Sequence, residues 1–327
     1  MKRGSGLSVK YETYKTLDDK RVRLVKRVGD GSIITRFDRT PPPKAETDVV
    51  CPHFLELKWG YGCPFNCSWC YLKGTLRFLP DKTKPKIKNE DKILYHLDTF
   101  FNATNHGRKY PGEMLNTGEL ADSLMFENNG HSLTDLVMPM FEAQKKHRVL
   151  FLSKSNCIKK AMKIETSHKP VFSFTINAFP VSKRWEKGAP SSLKRLAAAK
   201  KLADVGHEVR LRVDPIVPVK NWRTTYLSLI DKIFDRFTPE RITVGSLRGL
   251  QSTINNCPDR SWVDYLSERS NWGRKVDFDT RYEIYSAIFN RMKENHGFKR
   301  FAMCKETIEM WNKLGINYKK IRCNCVL

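Results

Sequence analysis

Three cysteines, Cys63, Cys67 and Cys70, fall within GYGCPFNCSWCYLKGT at residues 60–75, in a C-x3-C-x2-C spacing. Thiolates are metal ligands, and this spacing lets one loop offer all three to one centre. Two kinds of centre suit it. A structural zinc site closes on four ligands; Cys51 and His53 are the nearest candidates to complete it, although they precede an apolar run and must fold back along it. A four-iron cluster held by three thiolates instead keeps one iron open for an exchangeable ligand. Nine cysteines in a chain with no apolar leader segment argue for metal or redox chemistry before disulfides, and for a cytoplasmic protein.

The elements that must position this loop can be read from periodicity. Apolar runs at 53–59, 113–117, 148–153, 170–176, 208–214, 241–247 and 299–304 predict buried strands. Helical patterns lie between them, at 91–104, 133–146, 191–206, 224–237 and 280–295. Strand alternating with helix implies an α/β fold of parallel strands with right-handed crossovers, a barrel or an open sheet. The cysteine loop follows the first of these strands. Residues 1–50 are polar, end in TPPPKAE and read as an N-terminal extension or linker before a domain at 51–327. Residues 257–275 fit neither pattern; they mix Arg and Lys with Trp262, Tyr265 and Trp272 and read as a functional loop or insertion.

Charge points to the partner. Fifty-nine Lys and Arg against 35 Asp and Glu leave a formal net charge of +24, spread through KRVRLVKR (20–27), KTKPKIK (82–88), KKHR (145–148) and KKIR (319–322). Cations of this density neutralise phosphates and release counterions, so a nucleic acid is the expected partner. Arg269, Arg274 and Lys275, interleaved with Trp262 and Trp272, are candidate DNA contacts, the cations for phosphate and the rings for stacking. No run approaches transmembrane length, and no membrane partner is expected.

The cysteine loop, in spacing and in its place after the first strand, resembles that of the radical SAM superfamily. That resemblance implies a partial (β/α)6 TIM-like barrel, a [4Fe-4S] cluster on Cys63, Cys67 and Cys70, and S-adenosyl-L-methionine chelated by the open iron. One electron, from a donor such as flavodoxin or ferredoxin, then gives a 5′-deoxyadenosyl radical. It also implies cofactor contacts at strand ends: Gly118 and Glu119 for the methionine ammonium, Lys154 for its carboxylate, Ser173, Asn177, Arg212 and Asp214 for carboxylate or ribose, and Trp69 against adenine. VCPHFLELKWGYGCPFNCSWCYL, FLSKS, FSFTIN, GHEVRLRVDPIVPV, FAMCKET and the terminal RCNCV together resemble the spore photoproduct lyase family, over roughly residues 35–327. This implies DNA as substrate, with a thymine-derived base flipped into the barrel mouth, and Tyr71 as a hydrogen relay.

One departure bears on the reaction. Where the repair lyases carry a donor cysteine after the second strand, this chain reads Gly118, Glu119, Leu120, Ala121, Asp122. Cys157 and Cys304 lie near strand ends as replacements, against the commoner fate of a free cysteine as a small buried hydrophobe. Three functions follow. The first is isomerisation of nitrogen-linked to carbon-linked glycinyl-thymine in bacteriophage DNA hypermodification, with Arg212 or Arg248 gripping the glycine carboxylate. The second is dimer repair with a different hydrogen donor, and the third is a non-catalytic iron–sulfur protein that binds nucleic acid.

Overall fold

The computed structural model describes residues 6–79, 84–105, 110–128 and 130–327, so part of the basic stretch at 82–88 lies outside the described residues. Its centre is a ten-stranded sheet whose spatial order follows the chain. The strands are β1 (Val9–Lys15), β2 (Arg21–Val28), β3 (Ile34–Phe37), β4 (Phe54–Leu57) and β5 (Met114–Asn116), followed by β6 (Arg148–Ser153), β7 (Pro170–Ile176), β8 (Glu208–Ile216), β9 (Ile242–Ser246) and β10 (Phe301–Met303). Neighbours from β4 to β10 pair in parallel. Strands covered on both faces read as continuous apolar runs, and all seven residues of β7 are buried. The observed β6 and β7 have the bounds expected from sequence, and β8 runs on to Ile216.

Helices α1 (Glu90–Asn105), α2 (Leu133–Glu142), α3 (Ser192–Asp204), α4 (Trp222–Phe234) and α5 (Phe278–His296) cover the parallel part. Their starts are chemical. Ser132, Ser191 and Asp277 each accept a hydrogen bond from the backbone N–H three residues on. Helix α2 stops short of the expected residue 146 because the Gln144 side chain takes over the backbone groups there. It donates to the carbonyls of Phe141 and His147 and accepts from the N–H groups of Lys146 and His147. Among the described residues no helix is long and apolar enough to cross a membrane.

Residues 9–37 are not a linker. They form β1, β2 and β3, an antiparallel continuation of the sheet from the edge of β4. The alternation in β1 and β2, which expose one face, was masked in the sequence by their many charged residues. Further on, Val49–Val50 pairs antiparallel with Glu306–Thr307, tying the start of the barrel to its end. The C-terminal tail also plugs the barrel. Asn324 is fully buried and bonds β7, β8 and β9 through Ser173, Leu211 and Thr243.

Candidate active site

A cavity of about 460 Å³ opens at the C-terminal ends of the parallel strands. Cys63, Cys67 and Cys70 line it together with Trp69, Tyr71, Gly118, Glu119, Lys154, Arg212, Asp214, Arg248 and Trp272. The loop that carries the cysteines is fixed from three sides. Gly62 bridges to Ala121, Asn66–Cys67 pairs antiparallel with Glu186–Lys187, and the Ser68 N–H donates to the Trp185 carbonyl at 2.7 Å. Its end turns into a short helix, Leu72–Thr75.

Opposite the loop is the turn after β5. A Cβ on Gly118 would fall 2.5 Å from the Leu152 Cβ, so only glycine lets this turn lie against β6. Glu119 follows it; its carboxylate accepts from Asn116 at 3.3 Å and from the Tyr71 hydroxyl at 3.4 Å, and the same hydroxyl donates to the Glu119 carbonyl. Burial, with Glu56 nearby, pushes the Glu119 carboxyl up to about 7. Lys154 Nζ lies 3.9 Å from Glu186, beside Cys67. Asp214 is gripped by Arg248 at 2.9 and 3.0 Å and by Arg212 at 3.1 Å; although burial opposes it, these guanidiniums hold the carboxyl well below the usual range.

Four of the expected contacts are elsewhere. Ser173 is fully buried and accepts from Asn324 at 2.8 Å, below the cavity; Thr175, one strand repeat on, lines it instead. Asn177 donates to the Pro215 carbonyl and accepts from Tyr226, both at 2.9 Å, and so fastens strand ends to α4. Trp262 is fully buried with its indole donating to the Asp259 carbonyl, and Lys275 is buried with Nζ donating to the Lys305 carbonyl and 3.4 Å from Glu306. Neither is available to DNA. The loop they belong to is a folded unit, in which Arg248–Gly249, Glu268–Ser270 and Gly273–Lys275 form a small antiparallel sheet. Arg269 is exposed, Arg274 donates to the Leu266 carbonyl, and Trp272 edges onto Phe37 in the cavity wall.

The zinc alternative loses its ligand set. Cys51 lines the cavity, but the His53 ring packs edge-on against Tyr14, 5.0 Å between centroids. Among the described residues no three Cys, His, Asp or Glu side chains converge on the spacing of a single ion. A larger group suits the three thiols, and beside them the Trp69 indole N–H is buried without a hydrogen-bond partner. Cavity residues that sequence reasoning passed over include Phe37 and Arg39 from the supposed linker, Glu56, Lys305 and Cys325. For Cys325 there was a signal, the terminal C-x-C; for Phe37 and Arg39 there was none.

A family model described as spore photoproduct lyase matches residues 53–246. Curated spore photoproduct lyases from Geobacillus sp. (strain Y412MC61) and Bacillus subtilis (strain 168) are each 26% identical, over 178 and 180 residues, which is 53% and 54% of this chain and 48% and 50% of theirs. The chain thus spans about half the length of these relatives. A spore photoproduct lyase structure complexed with dinucleoside spore photoproduct superposes with a TM-score of 0.64 at 20% identity, covering 76% of this chain and 75% of the other. A mutant of that enzyme with bound AdoMet and dinucleoside spore photoproduct gives 0.63 at 20% identity, over 77% and 76%. These likenesses carry the fold, a radical SAM type of open barrel. The family model covers more than half of the sequence and includes the cysteine loop, Glu119, Lys154 and Asp214; the chain belongs to the spore photoproduct lyase family.

Proposed function

We propose that this chain is a radical SAM enzyme acting on a thymine-derived base in DNA, and that its reaction converts a nitrogen-linked glycinyl-thymine into the carbon-linked isomer. The observation that carries this reading is the cavity wall after β5. It sets Glu119 against the cysteine loop, where the Tyr71 hydroxyl donates to it, with no thiol between Thr117 and Asp122. Cys63, Cys67 and Cys70 would hold a four-iron cluster with one iron open, and such a cluster would supply the electron for cleavage of S-adenosylmethionine. Glu119 would accept hydrogen bonds from the methionine ammonium, Lys154 would pair with its carboxylate, and Trp69, whose indole N–H has no hydrogen-bond partner, would line the adenine side.

Removal of the glycine α-hydrogen is eased by the amine and carboxylate on that carbon. The thymine methylene then migrates from nitrogen to carbon, which leaves the radical on nitrogen, and a hydrogen from the 5′-deoxyadenosine methyl group returns to that nitrogen. Such a reaction is redox-neutral and needs no donor cysteine. Dimer cleavage does need one. Of the two replacements considered, Cys157 sits outside the cavity wall, where Asn128 donates to it at 3.0 Å, and Cys304 lines the cavity. Because Asp214 already occupies Arg212 and Arg248, the substrate carboxylate is assigned to Arg39, an exposed residue of the cavity wall. The phosphates flanking the base meet the general positive surface, with a flavodoxin or ferredoxin as electron donor.

The test is product analysis. Reduced enzyme is incubated with DNA carrying nitrogen-linked glycinyl-thymine and, separately, with DNA carrying the spore-type thymine dimer. A product of unchanged mass and new retention time from the first supports the isomerase; thymidine released from the second, with the glycinyl base untouched, overturns it. Cofactor binding has its own signature. Only an ionised Glu119 attracts the ammonium, and its carboxyl titrates near 7. Affinity for S-adenosylmethionine is expected to fall about tenfold per pH unit below that point. Equilibrium binding across pH 5.5–8 should show this slope, and Glu119→Gln should flatten it.

A further inference from the structure

Six cysteines remain outside the loop, and four of them converge. The antiparallel pairing of Val50 with Glu306 brings the chain at Cys51 next to the bend that carries Cys304 and Lys305. Between Cys323 and Cys325, Asn324 is locked to β7, β8 and β9, and this fixes the C-x-C tail at the same place. Cys51, Cys304 and Cys325 line the cavity, whereas Cys323 is buried.

Cationic and amide groups, and not apolar side chains alone, surround two of these sulfurs. The Arg212 guanidinium touches two sulfurs, Cys304 at 2.9 Å and Cys325 at 3.7 Å, and Arg248 reaches Cys304 at 3.4 Å. Asn116 donates to Cys325 at 3.7 Å, and the Cys51 thiol donates to the Pro52 carbonyl at 3.6 Å. A cysteine serving only as apolar filling gains nothing from two guanidiniums, and buried guanidiniums aimed at sulfur are stabilised when that sulfur is anionic. The remaining cysteines, Cys157 and Cys257, have no such cations: Asn128 donates to the first, and the second donates to the Ile254 carbonyl.

We propose that Cys51, Cys304, Cys323 and Cys325 hold a second iron–sulfur cluster, on the wall of the cavity that the first occupies. Four thiolates complete the ligand set of such a cluster and leave no iron open, so its part is electron transfer and not cofactor chelation. Arg212, Arg248, Lys305 and Asn116 would then donate to its sulfurs and set its potential. A lone zinc is disfavoured by spacing. Bonds of about 2.3 Å bring zinc-bound sulfurs to about 3.8 Å of one another, and no three candidate ligands among the described residues close on a single ion. A ligated Cys304 is also no hydrogen donor, in keeping with a reaction that needs none. The inference does not rest on the identity of the substrate.

Iron counting tests it without substrate. After anaerobic reconstitution with ferrous iron and sulfide, the full chain is expected to hold about eight irons, of which about four respond spectroscopically to S-adenosylmethionine. The Cys63→Ala, Cys67→Ala, Cys70→Ala triple variant should keep about four, with no response. The Cys323→Ala, Cys325→Ala double variant should keep only the responsive set. Because the tail variant removes groups packed in the barrel, Mössbauer spectra of the unmodified chain give a second measure, the fraction of iron that S-adenosylmethionine leaves unchanged. A full chain with about four irons, all responsive, overturns the proposal. So does a triple variant that binds zinc or no metal.

Discussion

Alanine at Cys63, Cys67 or Cys70 is expected to take turnover below detection and to erase the response of the reduced protein to S-adenosylmethionine, while the fold persists. The expectation separates chemistry from architecture. The loop keeps its shape through backbone bonds, Cys70 N–H to the Cys67 carbonyl at 3.2 Å and Ser68 N–H to the Trp185 carbonyl at 2.7 Å, and through the Gly62–Ala121 bridge. None of these uses sulfur. Removing one thiol therefore costs about 1 kcal/mol or less in packing, but it leaves a three-ligand site with two. Circular dichroism and melting temperature should stay near those of the parent as the spectral response disappears. A Cys67→Ala chain that still answers to the cofactor would dismiss this loop as its site.

The contrast between what was legible in the sequence and what was not follows from the range of the interactions involved. Strands β6 and β7 are buried on both faces, so their apolar runs begin and end where the strands do. The cysteines and Glu119 were legible because one loop and one turn, each local in sequence, carry them. Ser173 and Asn177 were misplaced because sequence gives a strand its alternation but not the depth at which a cavity floor lies; a two-residue step along β7 decides between Asn324 and the cavity. Trp262 and Lys275 were misread for a different reason. Aromatic and basic residues in a loop serve DNA or a small core equally well, and only the pairing of Arg248 with Lys275, and Glu306 beneath, shows the second use. The contribution of Phe37 and Arg39 depends on an antiparallel extension added to a parallel sheet, a long-range event without a local signature.

Arg195→Met is expected to be the most damaging single change outside the ligands. Arg195 and Glu186 pair with both side chains fully buried, and the guanidinium also donates to the Thr175 carbonyl at 2.7 Å. Taking away the cation strands a carboxylate in the core, at a cost of about 3–5 kcal/mol, or a fall in melting temperature of roughly 6–15 °C. The damage reaches the site because Glu186 is not a remote residue. It stands opposite Cys67 in the short antiparallel ladder, with Lys154 3.9 Å from its other oxygen. An unpaired Glu186 is driven towards solvent or towards Lys154, and either movement pulls on the segment that presents Cys67. Lower iron loading should therefore accompany the lower melting temperature. The companion Arg195→Met, Glu186→Leu variant removes both charges and should regain most of the stability, since a buried pair is often replaceable by apolar groups of similar volume. Its iron loading should recover with it, because the ladder bonds at Cys67 are made by backbone groups that leucine also carries. Should the single variant melt with the parent protein, the buried pair is not what steadies the cysteine loop.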